Sequence, residues 1–106
     1  MDKVLTDHII CDEQVLNYAV RLVRATREWP GIIKGAGPRG SIYLVKAAKA
    51  LALIRGESYT TPDIIKSVAL PVLRHRIVLS ADREIEGISA DQVLAQILHE
   101  IEVPRQ

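Results

Sequence analysis

The sequence predicts a mainly all-α fold: a small bundle of about four helices, with room for one very short strand pair. Three observations carry this reading. The chain has 106 residues, enough for one hydrophobic core and too few for a second. Hydrophobic residues make up 48% of it, yet Phe is absent, so the core must be built from Leu, Ile, Val and Ala, a set suited to packed helices. Finally, apolar positions recur every three or four residues in long segments punctuated by Pro and Gly. Residues 1–106 are read as a single domain with its core between about 12 and 104.

The first helix starts near Asp12. Val15, Leu16, Ala19, Val20, Leu22 and Val23 form its apolar side and Arg21, Arg24 and Arg27 its polar side. Asp12 and Glu13 at the start and Arg24 and Arg27 at the end suit the helix dipole. Trp29-Pro30-Gly31 should stop it, because Pro30 disfavours helix at Trp29 and Gly31 can take a positive φ. A second helix is expected to begin at Pro38, in the first helical position, and to stop at Gly56. Between them "SIYLVKAAKALALIR" is apolar nearly all round, with Arg39, Lys46 and Lys49 on one narrow stripe, so this helix belongs at the centre of the bundle.

A third helix is expected from Thr61 as N-cap, Pro62 in the first position and Asp63 in the first turn. Ile64, Ile65, Val68 and Ala69 supply its buried face. Pro71 should end or kink it, because proline lacks the N–H that would bond back to Ser67, leaving Val72 and Leu73 in a short turn. "IVLS" at 77–80 is short and β-branched, hence extended, with the residues just before Thr60 as its expected partner. Ser89 and Gln92 fit a capping box opening the last helix, whose stripe is Val93, Leu94, Ile97, Leu98 and Ile101 and which Pro104 closes.

The formal net charge of +1 is unevenly spread. Between residues 21 and 55, Arg21, Arg24, Arg27, Lys34, Arg39, Lys46, Lys49 and Arg55 face Glu28 alone, so a polyanion near the 35–41 loop is a natural partner. No apolar run approaches a membrane span and the first residues lack the signature of a signal peptide. Cys11 is the only cysteine, compatible with a reducing, cytoplasmic setting. His8, His75 and His99 show no metal-ligand spacing. Ser41 and Ser80 lack a nucleophile's context, and Glu84 and Glu86 read as solvated residues of a turn.

"GAGPRGS" at 35–41 has the spacing G-x-G-x-x-G through Gly35, Gly37 and Gly40. A dinucleotide cradle needs a strand into the first glycine and a second parallel strand after the helix. Here a helix and a proline turn precede the loop, only Ile32 and Ile33 are available as strand, and the next long segment is helical. Two readings remain. Gly35 and Gly37 make a tight turn between antiparallel helices, or Arg39 meets a phosphate. An arginine in a first helical turn opposes the dipole unless an anion joins it, and guanidinium plus helix N-terminus is a phosphate-binding combination. "PVLRHRIVLS" also admits a helix-turn-helix DNA reader with Arg74 and Arg76 on phosphates, against which the near-neutral overall charge weighs.

Taken together, "LVRATRE", "GAGPRGSIYLVKAAKALALIRGESYTTPDIIKSVALPVLRHRIVLS" and "EGISADQVLAQILHEIEVP" resemble the carboxy-terminal helical lid domain of MoxR-type AAA+ ATPases, relatives of magnesium chelatase subunits. The similarity runs from about Val15 to Pro104, with the motifs in order. The resemblance implies that Arg39 is the sensor-two arginine, reaching the γ-phosphate of ATP, with Pro38 near the nucleotide and Tyr18 helping to wall the adenine. The family's usual GASPRA has Ser and Ala where this chain has Gly37 and Gly40. The resemblance further implies ATP and Mg²⁺ held mainly by a large ATPase domain of the same polypeptide, neighbouring subunits of a hexameric ring, and chaperone-like remodelling of clients, with a von Willebrand A-domain protein as partner. The sequence contains no G-x-x-x-x-G-K-[ST] loop, so the chain alone should not hydrolyse ATP. A purely structural or protein-interaction helical module is the alternative from another class.

Overall fold

The computed structural model describes residues 9–103. Five helices and a two-stranded ribbon occur among them: α1 Glu13–Glu28, β1 Ile32–Lys34, α2 Gly40–Ile54, α3 Pro62–Leu73, β2 Val78–Leu79, α4 Ala81–Ile85 and α5 Ala90–Glu100. The predicted class is therefore observed, with one short helix more than expected. His8 and Pro104, the proposed stop of the last helix, lie outside the described residues.

Helix α1 begins where its sequence says it should, because Asp12 Oδ1 accepts the Val15 amide at 2.9 Å. It buries Val15, Tyr18, Ala19, Leu22, Val23 and Thr26 and ends at Trp29, after which Gly31 takes φ +90°. Helix α2 buries Gly40, Leu44, Ala48 and Ala52, one residue in four, and the small Gly40, Ala48 and Ala52 let α1 and α3 pack closely on it. Its end is a Schellman motif. The Gly56 amide donates to the Leu53 carbonyl (3.1 Å) and the Glu57 amide to that of Ala52 (2.9 Å), with Gly56 at φ +75°. Thr61 caps α3 through the Ile64 amide at 3.2 Å. Helix α5 opens with a complete capping box, and its Val93, Leu94 and Ile97 close the core against α3 and α1.

Three expectations are corrected. Pro71 does not end α3, which runs on to Leu73, so Val72 and Leu73 are helical and not a separate turn. Both Pro71 and Ser67, one turn earlier, are exposed, so the carbonyl that loses its amide partner lies on the solvent side. Pro38 precedes the helix and does not occupy its first position. It sits in a turn closed by the Gly40 amide on the Gly37 carbonyl at 2.9 Å, and α2 starts at Gly40.

The third correction is the strand pairing. β2 pairs antiparallel with β1, Ile32 opposite Leu79 and Lys34 opposite Val78, and the Ser80 amide donates to Gly31 O at 2.8 Å. The residues before Thr60 are engaged elsewhere. Tyr59 forms an isolated parallel bridge with Ile10, the Ile10 amide donating to Ser58 O and the Thr60 amide to Ile10 O. Leu79 is buried and the ribbon lies beside α1, so an edge next to the first helix captures the short strand.

Helix α4 was not foreseen. Ser80 caps it through the Arg83 amide (3.4 Å) and Gly87 ends it at φ +80°, with the Ile88 amide on Arg83 O and the Gly87 amide on Glu84 O. None of its residues is buried, so no apolar periodicity announced it. Glu84 and Glu86 are exposed as expected, Glu86 lying 3.6 Å from Arg83.

Candidate functional site

The loop at 35–40 is held from below by α1. At Gly35 an added Cβ would lie 2.7 Å from the backbone of Thr26 and Arg27, so the two main chains touch and no side chain fits between them. Ala36 of the loop is buried against the same helix, and its amide donates to Thr26 Oγ1 at 3.0 Å. Thr26 is itself fully buried, and its hydroxyl donates to the Val23 carbonyl at 2.6 Å. The guanidinium Nε of Arg27 adds a longer bond to Ala36 O at 3.4 Å. Gly40 is buried where a Cβ would stand 3.1 Å from Ala36 and 3.2 Å from Val23. Gly35, Ala36 and Gly40 thus form the loop's inner side, fixed to α1.

The outer side is Gly37, Pro38 and Arg39, all exposed. A Cβ at Gly37 meets nothing within 4 Å, so this glycine answers no steric need. Arg39 is the residue before α2, with no side-chain cap for the helix and no acidic residue in its first turn. Among the described residues its guanidinium has no carboxylate within 4.0 Å and no hydrogen bond. The start of α2 therefore presents a free positive side chain beside the positive end of the helix dipole, a combination that lacks an anion. The fit to a phosphate group is good, since a guanidinium offers several N–H donors in a fixed fork.

Pro38 and Arg39 adjoin on the exposed side of the loop, whereas Tyr18 is enclosed in the core. Tyr18 lies on the buried face of α1 together with Val15, Ala19, Leu22, Val23 and Thr26. It is fully buried and its hydroxyl has no hydrogen-bond partner. Burial pushes its pKa up, Asp63 adds to this, and Arg21, whose guanidinium carbon is 5.8 Å from the ring centroid, works against it. Of the segment read as a possible DNA contact, Arg74 is paired with Asp91 at 3.1 Å, and the chain then enters β2, where a helix-turn-helix would need a second helix.

Sequence reasoning passed over Thr26 and Tyr43. Thr26 has a local signal, a threonine on the apolar face of an amphipathic helix, which asks for a hydrogen-bond partner when buried. Tyr43 lies in α2 with the Arg76 guanidinium carbon 4.0 Å from its ring centroid, a pairing between elements with no sequence signal. Among the described residues no three His, Cys, Asp or Glu side chains cluster as a metal site, and no helix is long and apolar enough to cross a membrane.

Comparison with known proteins gives this geometry a family. The AAA lid domain family matches residues 24–97. The protein YeaC of Bacillus subtilis is 37% identical over 99 residues, which is 93% of this chain and 31% of that protein. Chaperone MoxR1 of Mycobacterium tuberculosis is 35% identical over 102 residues, covering 86% of this chain and 26% of its own length. A crystal structure of a "putative ATPase" from Cytophaga hutchinsonii superposes with a TM-score of 0.90 at 33% identity, covering 96% of this chain and 34% of that one. The chain thus spans about a third or less of the relatives it matches. By sequence match and by fold, this chain belongs to the AAA lid domain family, in its MoxR-like branch.

Proposed function

We propose that this domain is the nucleotide-sensing lid of a MoxR-type AAA+ ATPase and that Arg39 is its sensor-two arginine. The observation that carries the reading is the unpaired Arg39 guanidinium at the uncapped start of α2, on a loop bonded to α1 through Ala36 and Thr26. ATP and Mg²⁺ would be held mainly by an ATPase domain of the same polypeptide, where the metal would supply positive charge to the phosphates. Arg39 adds positive charge to the γ-phosphate, and Pro38 lies beside the same nucleotide. Because the loop is fixed to α1, a change in what Arg39 touches moves the lid as a body. Tyr18, being buried, serves this site through the packing of α1.

In this reading the chain alone does not turn over ATP. Neighbouring subunits form a cytoplasmic ring, and the lid motion drives chaperone-like remodelling of clients, with a von Willebrand A-domain protein as partner. The test places Arg39→Ala and Arg39→Lys in a polypeptide that joins this domain to its ATPase domain. Steady-state ATP turnover should fall about 10- to 1000-fold for Arg39→Ala, the scale of losing one transition-state charge contact, and less for lysine. Unchanged turnover together with unchanged nucleotide-dependent assembly would overturn the assignment of Arg39.

A further inference from the structure

The guanidinium of Arg76 is fixed in place yet leaves its N–H groups unused. Its carbon lies 4.0 Å from the centroid of the Tyr43 ring, a close cation–π stack. Among the described residues the other two arginines that follow α3 are paired, Arg74 with Asp91 and Arg83 with Glu86. Arg76, like Arg39, has neither a carboxylate within 4.0 Å nor a hydrogen-bond acceptor among the described residues. It is also exposed.

Helical i, i+4 spacing makes the Tyr43 ring of this stack a neighbour of Arg39. Tyr43 follows Arg39 by four residues, its amide donating to the Arg39 carbonyl at 3.0 Å, so the two residues share one face of α2. Long helical side chains lean toward the helix N-terminus, and Tyr43 accordingly covers the turn that Arg39 opens. Stacking on that ring brings the second guanidinium, delivered by the segment between α3 and β2, to the face of α2 that Arg39 and Tyr43 share by their i, i+4 spacing. Holding two like charges at one helix start, where the dipole is also positive, is unfavourable for the chain alone. An oligophosphate relieves both.

We infer that Arg76 is a second phosphate-contacting residue of the lid and that Tyr43 is the residue that positions it, the two arginines reading one polyphosphate from either side of the start of α2. The inference rests on the reading of Arg39 given above and adds a contact supplied by a different element. Arg76 binds, through its N–H groups, an oxygen that Arg39 leaves free. Tyr43 touches no phosphate and keeps the guanidinium from folding away into solvent.

Sodium tripolyphosphate titrated into the chain, followed by the arginine Nε–Hε resonances and the Tyr43 ring signals, tests this. Arg39, Arg76 and Tyr43 should shift together along one saturating curve. Arg76→Ala and Tyr43→Leu should each weaken binding about three- to tenfold, the scale of a lost charge-assisted contact or of its cation–π support, while Tyr43→Phe, which restores the ring, should bind as wild type. Thermal midpoints of the variants separate this from unfolding. Shifts at Arg39 without shifts at Arg76 and Tyr43 overturn the inference and leave the reading of Arg39 intact. Shifts at Arg76 without Arg39 also overturn it, since the site is then not shared. No shift at either arginine overturns it and withdraws this support from Arg39 as well. A Tyr43→Phe variant as weak as Tyr43→Leu removes Tyr43's positioning role.

Discussion

Among the glycines of the loop, identical residues carry unequal constraints. Gly35 is required by contact, because a methyl group there would stand 2.7 Å from the α1 backbone, whereas Gly37 faces open space. Gly35→Ala should therefore destabilise the domain by about 1–3 kcal/mol, as overpacking against rigid backbone does. Gly37→Ser, which restores the residue usual in the resembled family, should be neutral or slightly stabilising, within about 0.5 kcal/mol, because the site has open space and a side chain there restricts the unfolded chain. Urea denaturation midpoints of the two variants check this, and equal losses would contradict it. Tyr18 supplies a second residue-scale test. Its buried hydroxyl has no partner, so Tyr18→Phe should be neutral to stabilising by up to about 1–2 kcal/mol, where removing a satisfied hydroxyl would cost. Burial raises the Tyr18 pKa above its ordinary 10.0, so the folded state holds this proton more tightly than the unfolded one. That contribution is intact below pH 10.0 and is lost as pH rises through the folded pKa, so stability should fall in that alkaline window. In Tyr18→Phe that part of the fall should disappear from the pH dependence of the melting temperature.

At the scale of single elements, legibility followed locality. Thr61 and Ser89 with Gln92 cap their helices and Gly56 stops α2 as the sequence predicts, and Asp12 caps α1 by the same kind of bond, because a cap is set among residues three or four apart. Ser89→Ala should cost about 1 kcal/mol by removing half of the capping box, measurable as a lower thermal midpoint. The extra helix α4 shows the limit of reading by periodicity. It buries nothing, so its signals are confined to Ser80 and Gly87, its cap and its stop, which the reading by periodicity did not use. The continuation of α3 through Pro71 shows another limit. The rule that proline breaks a helix assumes that the lost hydrogen bond is costly, and on an exposed face near the helix end it costs little. The partner of β2 was illegible for a different reason. Two residues carry too little pattern to choose between two available edges, and the choice fell to the packing of Leu79.

On the scale of the whole molecule, α2 is the axis against which the rest is set. Its buried side is Gly40, Leu44, Ala48 and Ala52, and α1 and α3 both lean on it. Ala48→Leu should therefore destabilise by about 1–3 kcal/mol and displace both neighbours, seen as a lower denaturation midpoint and broadened amide resonances in α1 and α3. A wild-type midpoint would mean that the interface has slack. The same axis fixes the site, since the start of α2 carries Arg39 and its next turn carries Tyr43. The sequence by itself determined the fold class, most helix ends and Arg39 as a charge the helix does not favour, because these are set by periodicity, local capping and the dipole. The tertiary structure decided that Thr26 and Ala36 tie the loop to α1, that Tyr18 is buried with its hydroxyl unpartnered, and that Arg76 stands on Tyr43. Those three depend on residues from different elements meeting at van der Waals distance, and the order of residues along the chain does not encode such meetings in any short window.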